Sequence, residues 1–344
     1  MFRRMTQNIL ISGGAGYIGS HAAYALREAG FVPVVIDNLC NGHAWAAAFG
    51  PFRQGDVGDV EFVRAVCAEY KPVALMHFAA FIEVGESVQF PEKYWDNNTE
   101  RAKRLFATVR ECGVRYTVFS STAAVYGMPE ISPLTEDLPL RPINPYGASK
   151  LAAEQALREL DGMSSVALRY FNAAGAAAAA VNIGEAHWPE SHLLPNAILA
   201  ALGHKPALTI FGTDYPTPDG TAVRDYVHVL DLAAAHIAAL RYLLAGGATT
   251  VCNLGCGSGY SVRQVVDMVE DCVGKRMPVQ YGPRRAGDPS ALVADAGRAR
   301  QLLGWTPQYG LQDIVASAVA WHRGARYQEV IVGRHLAGEA ILFG

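Results

Sequence analysis

The feature that most constrains this chain is the run Gly13-Gly14-Ala15-Gly16-Tyr17-Ile18-Gly19, which follows an apolar stretch at residues 9–12 and opens an amphipathic one, Tyr17–Glu28. Strand, glycine turn and helix in that order make a phosphate cradle. Glycine permits the tight turn and lets the backbone approach a pyrophosphate, while the helix N-terminus supplies N–H groups and positive dipole. Gly14, Gly16 and Gly19 fit G-x-G-x-x-G, and Gly13, Gly16 and Gly19 fit the looser G-x-x-G-x-x-G. A second predicted strand, residues 32–37, ends in Asp37, 18 residues past Gly19. A carboxylate there accepts both adenosine ribose hydroxyls and repels a 2′-phosphate, so NAD is expected rather than NADP. The alternative is a plain turn aspartate before Asn38. Gly55-Asp56-Val57 ends the next strand, where Asp56 either holds the adenine amino group or caps the following helix.

Short apolar runs then alternate with longer amphipathic ones. Strands are predicted at 74–78, 117–121 and 166–170, and helices at 61–70 and 146–160. This alternation predicts an α/β fold with a Rossmann-type, doubly wound parallel sheet covered on both faces. After Asn172 the pattern breaks at an alanine tract, 176–180, which fits a tight loop or a short helix equally, and at several prolines. A helical pattern returns at 225–244, and a smaller mixed region from about 251 ends in a helix around 314–322. We therefore expect a dinucleotide-binding domain at 1–172 with a return segment at about 224–245. A smaller mixed α/β C-terminal lobe takes 173–223 and 246–330.

The length of 344 residues and the 51% hydrophobic content suffice for two lobes. A net charge of −3 with no basic stripe speaks against a nucleic-acid partner. The six cysteines form no Cys-x-x-Cys pair, so reduced thiols are expected. Cys252-x-x-x-Cys256 is at most a metal half-site, with His187 and His192 far away in sequence, and no metal is expected. Arg3 and Arg4 precede an apolar segment that Gly13 and Gly14 cut short, against a signal peptide. No apolar stretch reaches the roughly 18 residues of a membrane span, and a soluble cytoplasmic protein is expected.

Tyr146-Gly147-Ala148-Ser149-Lys150 opens a predicted helix, and its spacing puts Tyr146 and Lys150 on one face, one turn apart. Tyrosine titrates near ~10, too high for a base at neutral pH. A neighbouring ammonium and an oxidised nicotinamide both stabilise phenolate and lower that value. Ser120, Ser121 and Thr122 end the predicted fifth strand, at the sheet's ligand-binding edge. Thr122 there can bridge a substrate hydroxyl and the phenolic oxygen.

With these elements in order, the chain resembles the extended short-chain dehydrogenase/reductase family, and within it the UDP-glucose 4-epimerase branch, from about residue 8 to 322. The most specific stretches are Ile210-Phe211-Gly212-Thr213-Asp214-Tyr215-Pro216, Val223-Arg224-Asp225-Tyr226-Val227-His228 and Pro283-Arg284-Arg285-Ala286-Gly287-Asp288. The resemblance implies interconversion of UDP-glucose and UDP-galactose through oxidation at sugar carbon 4, turnover of the 4-keto sugar and return of the hydride, with NAD retained. Tyr146 is then the base, Lys150 tunes it and binds the nicotinamide ribose, and Thr122 relays or anchors the proton. It implies cofactor contacts at Gly13, Gly16, Tyr17, Ile18, Gly19, Asp37, Asn38, Asn41, Asp56, Val57, Phe78, Ala79, Ala80, Asn98, Ser120, Tyr146, Lys150 and Tyr170. Contacts to the UDP-hexose are implied at Thr122, Tyr146, Asn172, Leu193, Thr209, Phe211, Arg224, Arg285, Asp288 and Leu292, and a homodimer is the family expectation. Arginine forks suit a diphosphate and an acceptor-only aspartate suits ribose hydroxyls. The alternative for Arg224 and Arg285 is surface pairing with Asp225 and Asp288.

The chain departs from the family pattern at four places. Ile82 replaces a lysine that reaches the cofactor phosphate in many relatives. Residues 99–104, Thr-Glu-Arg-Ala-Lys-Arg, replace a small Gly-Thr pair, so that Arg101 bears on packing and dimerisation. The alanine tract replaces a loop with proline and glycine. Leu292 stands where some relatives have tyrosine, which leaves room for an N-acetyl group and extends the expectation to UDP-GlcNAc. Of the rival activities, a 4,6-dehydratase needs an Asp-Glu pair after the threonine, where this chain has Ala123 and Ala124. A reductase that releases its cofactor, and a non-catalytic cofactor-binding regulator, are the others.

Overall fold

The computed structural model describes residues 7–129, 131–285 and 288–336, with side chains to residue 330. Arg3 and Arg4, and the Ala286 and Gly287 of the Pro283-to-Asp288 motif, lie outside the described residues. The centre is a seven-stranded sheet of β1 (Asn8–Ser12), β2 (Val32–Asp37), β3 (Phe52–Gln54), β4 (Ala74–His77), β5 (Tyr116–Thr122), β6 (Ser164–Tyr170) and a last strand, Thr250–Leu254. The spatial order is Thr250–Leu254, β6, β5, β4, β1, β2, β3, with every pairing parallel. The direction of winding reverses between β1 and β4, which opens a crevice beyond their C-terminal ends.

Both faces of the sheet are buried, and the strand period of two divides the apolar side chains between them. Ile9, Ile11, Val35 and Met76 pack under the helices Tyr17–Glu28 and Val229–Leu244. Leu10, Val34, Ile36, Leu75 and Phe119 pack under Val60–Tyr70, Ala102–Glu111 and Pro145–Arg158. The smaller lobe has its own core, built from Leu193–Ala201, Val262–Val273 and Leu311–Arg323.

Three expectations change. The return segment does not end near 245: Thr250–Leu254 pairs with β6 and completes the central sheet. Residues 225–228 are not helical. Tyr226–His228 is a strand paired with Asn172–Ala174, and the helix starts only at Val229. The aromatic and β-branched Tyr226 and Val227 suit a strand. The Asp225 carboxylate also ties the chain down by accepting from the N–H groups of Cys256 (2.7 Å), Gly257 (3.0 Å) and Ala294 (3.1 Å). A further helix, Ala325–Leu336, follows the predicted last one. The alanine tract takes up a short helix, Ala178–Val181.

A buried polar network joins the sheet to the helix Pro145–Arg158. Arg169 on β6 pairs with Glu154 on that helix through both carboxylate oxygens, with Nε at 3.1 Å from Oε2. Ser121 Oγ on β5 donates to the same carboxylate at 2.8 Å, and Arg169 also donates to Tyr126 Oη at 3.0 Å. Tyr126 in turn donates to Asn253 Oδ1 at 2.7 Å, which reaches the outermost strand. Removing one partner of a buried pair leaves the other charge uncompensated, at about 3–5 kcal/mol. Arg169→Met is therefore expected to lower unfolding free energy by about that amount in denaturant titrations. Adding Glu154→Leu to it recovers most of the loss, because no orphaned charge then remains.

Candidate active site

The cradle forms at the reversal of the sheet. Phe78 and Ala79, just past β4, both donate their N–H groups to the Ser12 carbonyl, at 2.8 and 3.1 Å. Gly13 takes φ +73°, and a Cβ on it would lie 2.5 Å from the Ala79 nitrogen. A Cβ on Gly19 would lie 2.1 Å from the Gly13 carbonyl oxygen, so the helix packs on the turn only without a side chain there. Gly16 is the N-cap of Tyr17–Glu28, and no side chain caps that first turn. Its N–H groups and dipole are thus left to an anion. Gly16, Tyr17 and Asn41 line a hollow with His187. Tyr17 is buried and donates its hydroxyl to the Gly175 carbonyl at 2.6 Å, while Ile18 packs against the core.

Asp37 lies beside this turn. Its carboxylate accepts from the N–H groups of Ala15 (3.0 Å) and Leu39 (2.8 Å). Burial pushes its pKa up, and those two N–H groups pull it back. Asn38 donates to Asp56 at 3.2 Å, and Gly58 N–H donates to the other Asp56 oxygen at 2.7 Å. Asp56 does not cap the next helix; Asp59 does, accepting from Phe62 N–H at 3.1 Å. Arg101, the departure expected to bear on packing and dimerisation, pairs with Asp56 at 2.6 Å and with Asp96 at 2.8 Å on the rim of this site. Val57 is buried beneath it.

Asn98 pins the loop after β4, accepting from Phe81 N–H and donating to the Phe81 carbonyl, both at 2.9 Å. Its Nδ2 also donates to Ser149 Oγ at 3.3 Å and its Oδ1 also accepts from Asn97 at 3.0 Å, so Asn98 ties the loop that carries Phe78, Ala79 and Ala80 to the helix Pro145–Arg158. The Phe78 ring lies 4.7 Å from that of His236. The Ser120 and Tyr170 hydroxyls are hydrogen-bonded to each other across β5 and β6.

Asn144 and Pro145 start the helix that carries Tyr146. The Asn144 side chain accepts from Gly147 N–H at 2.8 Å, and proline occupies the first turn. Tyr146, Lys150 and Glu154 then fall at steps of four along one stripe facing the sheet edge. Burial pushes the Tyr146 pKa up, the Thr122 hydroxyl hydrogen-bonded to it pulls it down, and Glu83 pushes it up again. The Tyr94 ring meets the Tyr146 ring edge-on at 6.5 Å. Lys150 is buried with its ammonium 4.4 Å above the Phe119 ring. Burial lowers its pKa to about 7, against the attraction of Glu154.

The smaller lobe brings its predicted residues together on short strands. Thr209 and Phe211 share one face of Leu208–Phe211, and the Arg285 guanidinium lies 4.3 Å above the Phe211 ring. Arg224 pairs with Asp288. Among the described residues no arginine pairs with Asp225, whose carboxylate is held by backbone N–H groups. Leu292 sits beside Arg224 in register and packs against the apolar cluster of Ala123 and Val125 that Phe171 also joins. Asn172 donates its N–H to the Asp225 carbonyl at 3.0 Å, and Leu193 begins the helix Leu193–Ala201.

Two groups escaped the sequence analysis. Glu154 and Arg169 were legible only as a third residue on the Tyr146–Lys150 stripe and as a charge in an apolar strand. Glu185, His187, Glu190 and His192 converge, although no motif singled them out. Cys252 and Cys256 do not join them: the first is buried in the sheet, and the second donates to the Tyr226 carbonyl at 2.9 Å.

Sheet, cradle and Tyr-x-x-x-Lys helix together define a dinucleotide-dependent enzyme core. The chain belongs to the NAD dependent epimerase/dehydratase family, whose model matches residues 9–255. It is 48% identical over 319 residues to a UDP-glucose 4-epimerase of Rhizobium leguminosarum bv. trifolii, covering 92% of this chain and 97% of that one. The crystal structure of UDP-glucose 4-epimerase from Brucella ovis in complex with NAD is similar at TM-score 0.89 and 44% identity, covering 91% of this chain and 98% of that one. The UDP-Glc/GlcNAc 4-epimerase of Campylobacter jejuni is similar at TM-score 0.81 and 41% identity, with 92% and 99% covered.

The depressed Lys150 pKa makes stability depend on pH. Between about 7 and its ordinary value, the unfolded chain holds a proton that the folded chain has released, so this group adds stability as pH rises. In cofactor-free protein, wild type should gain on the order of 1–3 kcal/mol over Lys150→Met between pH 7 and 9, measured by denaturant titration.

Proposed function

We propose that this protein interconverts UDP-glucose and UDP-galactose. The carrying observation is Tyr146, beside Thr122 and one helical turn from the buried Lys150, at the sheet edge beside the phosphate cradle. The free first turn at Gly16 and the Asp37 carboxylate fit NAD, with Asn38, Asp56 and Arg101 closing the adenosine end. NAD, when bound, supplies the acceptor that takes the hydride from sugar carbon 4 and gives it back. Tyr146 takes the proton from the 4-hydroxyl and later returns it, and Thr122 holds that hydroxyl in line. Lys150 lowers the cost of the phenolate by its nearby charge. Arg224 and Arg285 grip the diphosphate and Asp288 the uridine ribose, so arriving substrate shares or replaces the Arg224–Asp288 pair.

Ala123 and Ala124 after Thr122 offer no acid and base for eliminating water, which weighs against a dehydratase. A second substrate pair, UDP-GlcNAc and UDP-GalNAc, is supported by Leu292 in place of a larger aromatic ring. The assembly we propose is a homodimer, supported by Val88, Phe90 and Trp95, exposed apolar residues close together along the segment 88–95. A cytoplasmic setting in galactose use or polysaccharide precursor supply agrees with six free cysteines. Among the described residues no helix is long and apolar enough to cross a membrane.

Purified protein given UDP-galactose alone should form UDP-glucose with no net NADH. Stoichiometric NADH or a 4-keto-6-deoxy product would defeat the proposal. Tyr146→Phe is expected to lower kcat about 10²–10⁴-fold while the protein keeps its NAD, read from single-time-point sugar analysis and bound nicotinamide. Undetectable turnover of UDP-GlcNAc at enzyme levels that convert UDP-glucose would remove the second substrate pair.

A further inference from the structure

Four side chains from one eight-residue stretch, Glu185, His187, Glu190 and His192, bring their ligand-type atoms within 4.8 Å of one another. His187 Nδ1 lies 2.9 Å from Glu185 Oε1, and His192 Nδ1 lies 3.1 Å from the same oxygen and 2.9 Å from Glu190 Oε1. Two imidazole nitrogens and two carboxylates at such spacings are an N2O2 set. About 2.0–2.2 Å bonds to a common centre put tetrahedral ligand atoms roughly 3.3 Å apart. We propose that these residues form a binding site for a divalent transition ion of the zinc type.

The site is built rather than incidental. The Glu185 carboxylate is buried, and Trp321 Nε1 donates to the Glu185 carbonyl at 2.6 Å. Asn196 on the following helix donates to the His192 carbonyl at 2.8 Å and the Glu190 carbonyl at 3.2 Å. The backbone carrying the ligands is thus held from both sides. Two carboxylates and two imidazoles, with Glu185 buried and the other three partly buried, suit a borderline cation with nitrogen and oxygen preference, and the missing thiolates disfavour copper(I). The ion has a structural consequence. His187 lines the hollow at the Gly16 turn, and His192 immediately precedes the helix Leu193–Ala201 of the smaller lobe. Metal binding would staple the segment that runs between the two.

The test uses the untagged, full-length protein with its cofactor, treated with chelator and titrated with Co²⁺ followed by visible absorption, then with Zn²⁺ in competition. One equivalent of Co²⁺ with a tetrahedral d–d band, displaced by Zn²⁺, is expected. In the double variant His187→Ala, His192→Ala the band should vanish. The single variant His187→Asn, a milder change, should bind at least about tenfold more weakly, the scale on which even outer-sphere changes act. Circular dichroism on each variant establishes that it is folded, and if the double variant is not, the single one decides. No saturable band in wild type, or affinity unchanged in the folded His187→Asn protein, would mean that the four residues are only an ion-paired cluster.

Discussion

Glu154 and Arg169 hold the helix of Tyr146 against the sheet, and the placement of Tyr146 and Lys150 depends on that contact. The pair is buried, and among the described residues its charges meet each other, Ser121 and Tyr126. Such a junction tolerates little sliding, because a shift of one residue would leave a charge unpaired in a medium that cannot solvate it. The helix register that aligns Glu154 with Arg169 also brings Lys150 over Phe119 and Tyr146 to Thr122. The same burial that fixes the geometry lowers the Lys150 pKa to about 7. Position and acidity therefore share one cause.

At the other end of the crevice, backbone packing does the work. The carbonyl of Ser12 gathers the N–H groups of Phe78 and Ala79, and Gly13 and Gly19 remove the side chains that would push strand, turn and helix apart. What remains is an uncapped helix N-terminus next to a carboxylate, and that pairing suits a dinucleotide: pyrophosphate at the dipole, ribose at the acid. Arg101 adds a further element: its two ion pairs tie Asp56 to the helix behind it.

The strands and helices of the first lobe were legible because burial on both faces leaves nearly continuous apolar runs, and amphipathic helices separate them. Tyr146–Lys150 and the glycine turn were legible because both lie within one local element. The strand Tyr226–His228 was not, since an apolar run before a helix carries the same pattern whether or not a distant strand pairs with it. The seventh strand was misplaced for a related reason: nothing local at Thr250–Leu254 says that β6 has a free edge.

The sequence by itself determined the glycine cradle, the Tyr-x-x-x-Lys helix, the parallel sheet and the family. Each of these is written in residue type and short-range spacing. Only the tertiary structure decided that Glu154 answers Arg169, that Arg101 reaches Asp56, that Arg224 turns to Asp288, and that two glutamates and two histidines meet beside the cradle. Most of these contacts join residues far apart in the chain, and the glutamate–histidine group depends on a fold of loop that no periodicity encodes. Their partners are chosen by which surfaces the packed core leaves facing one another.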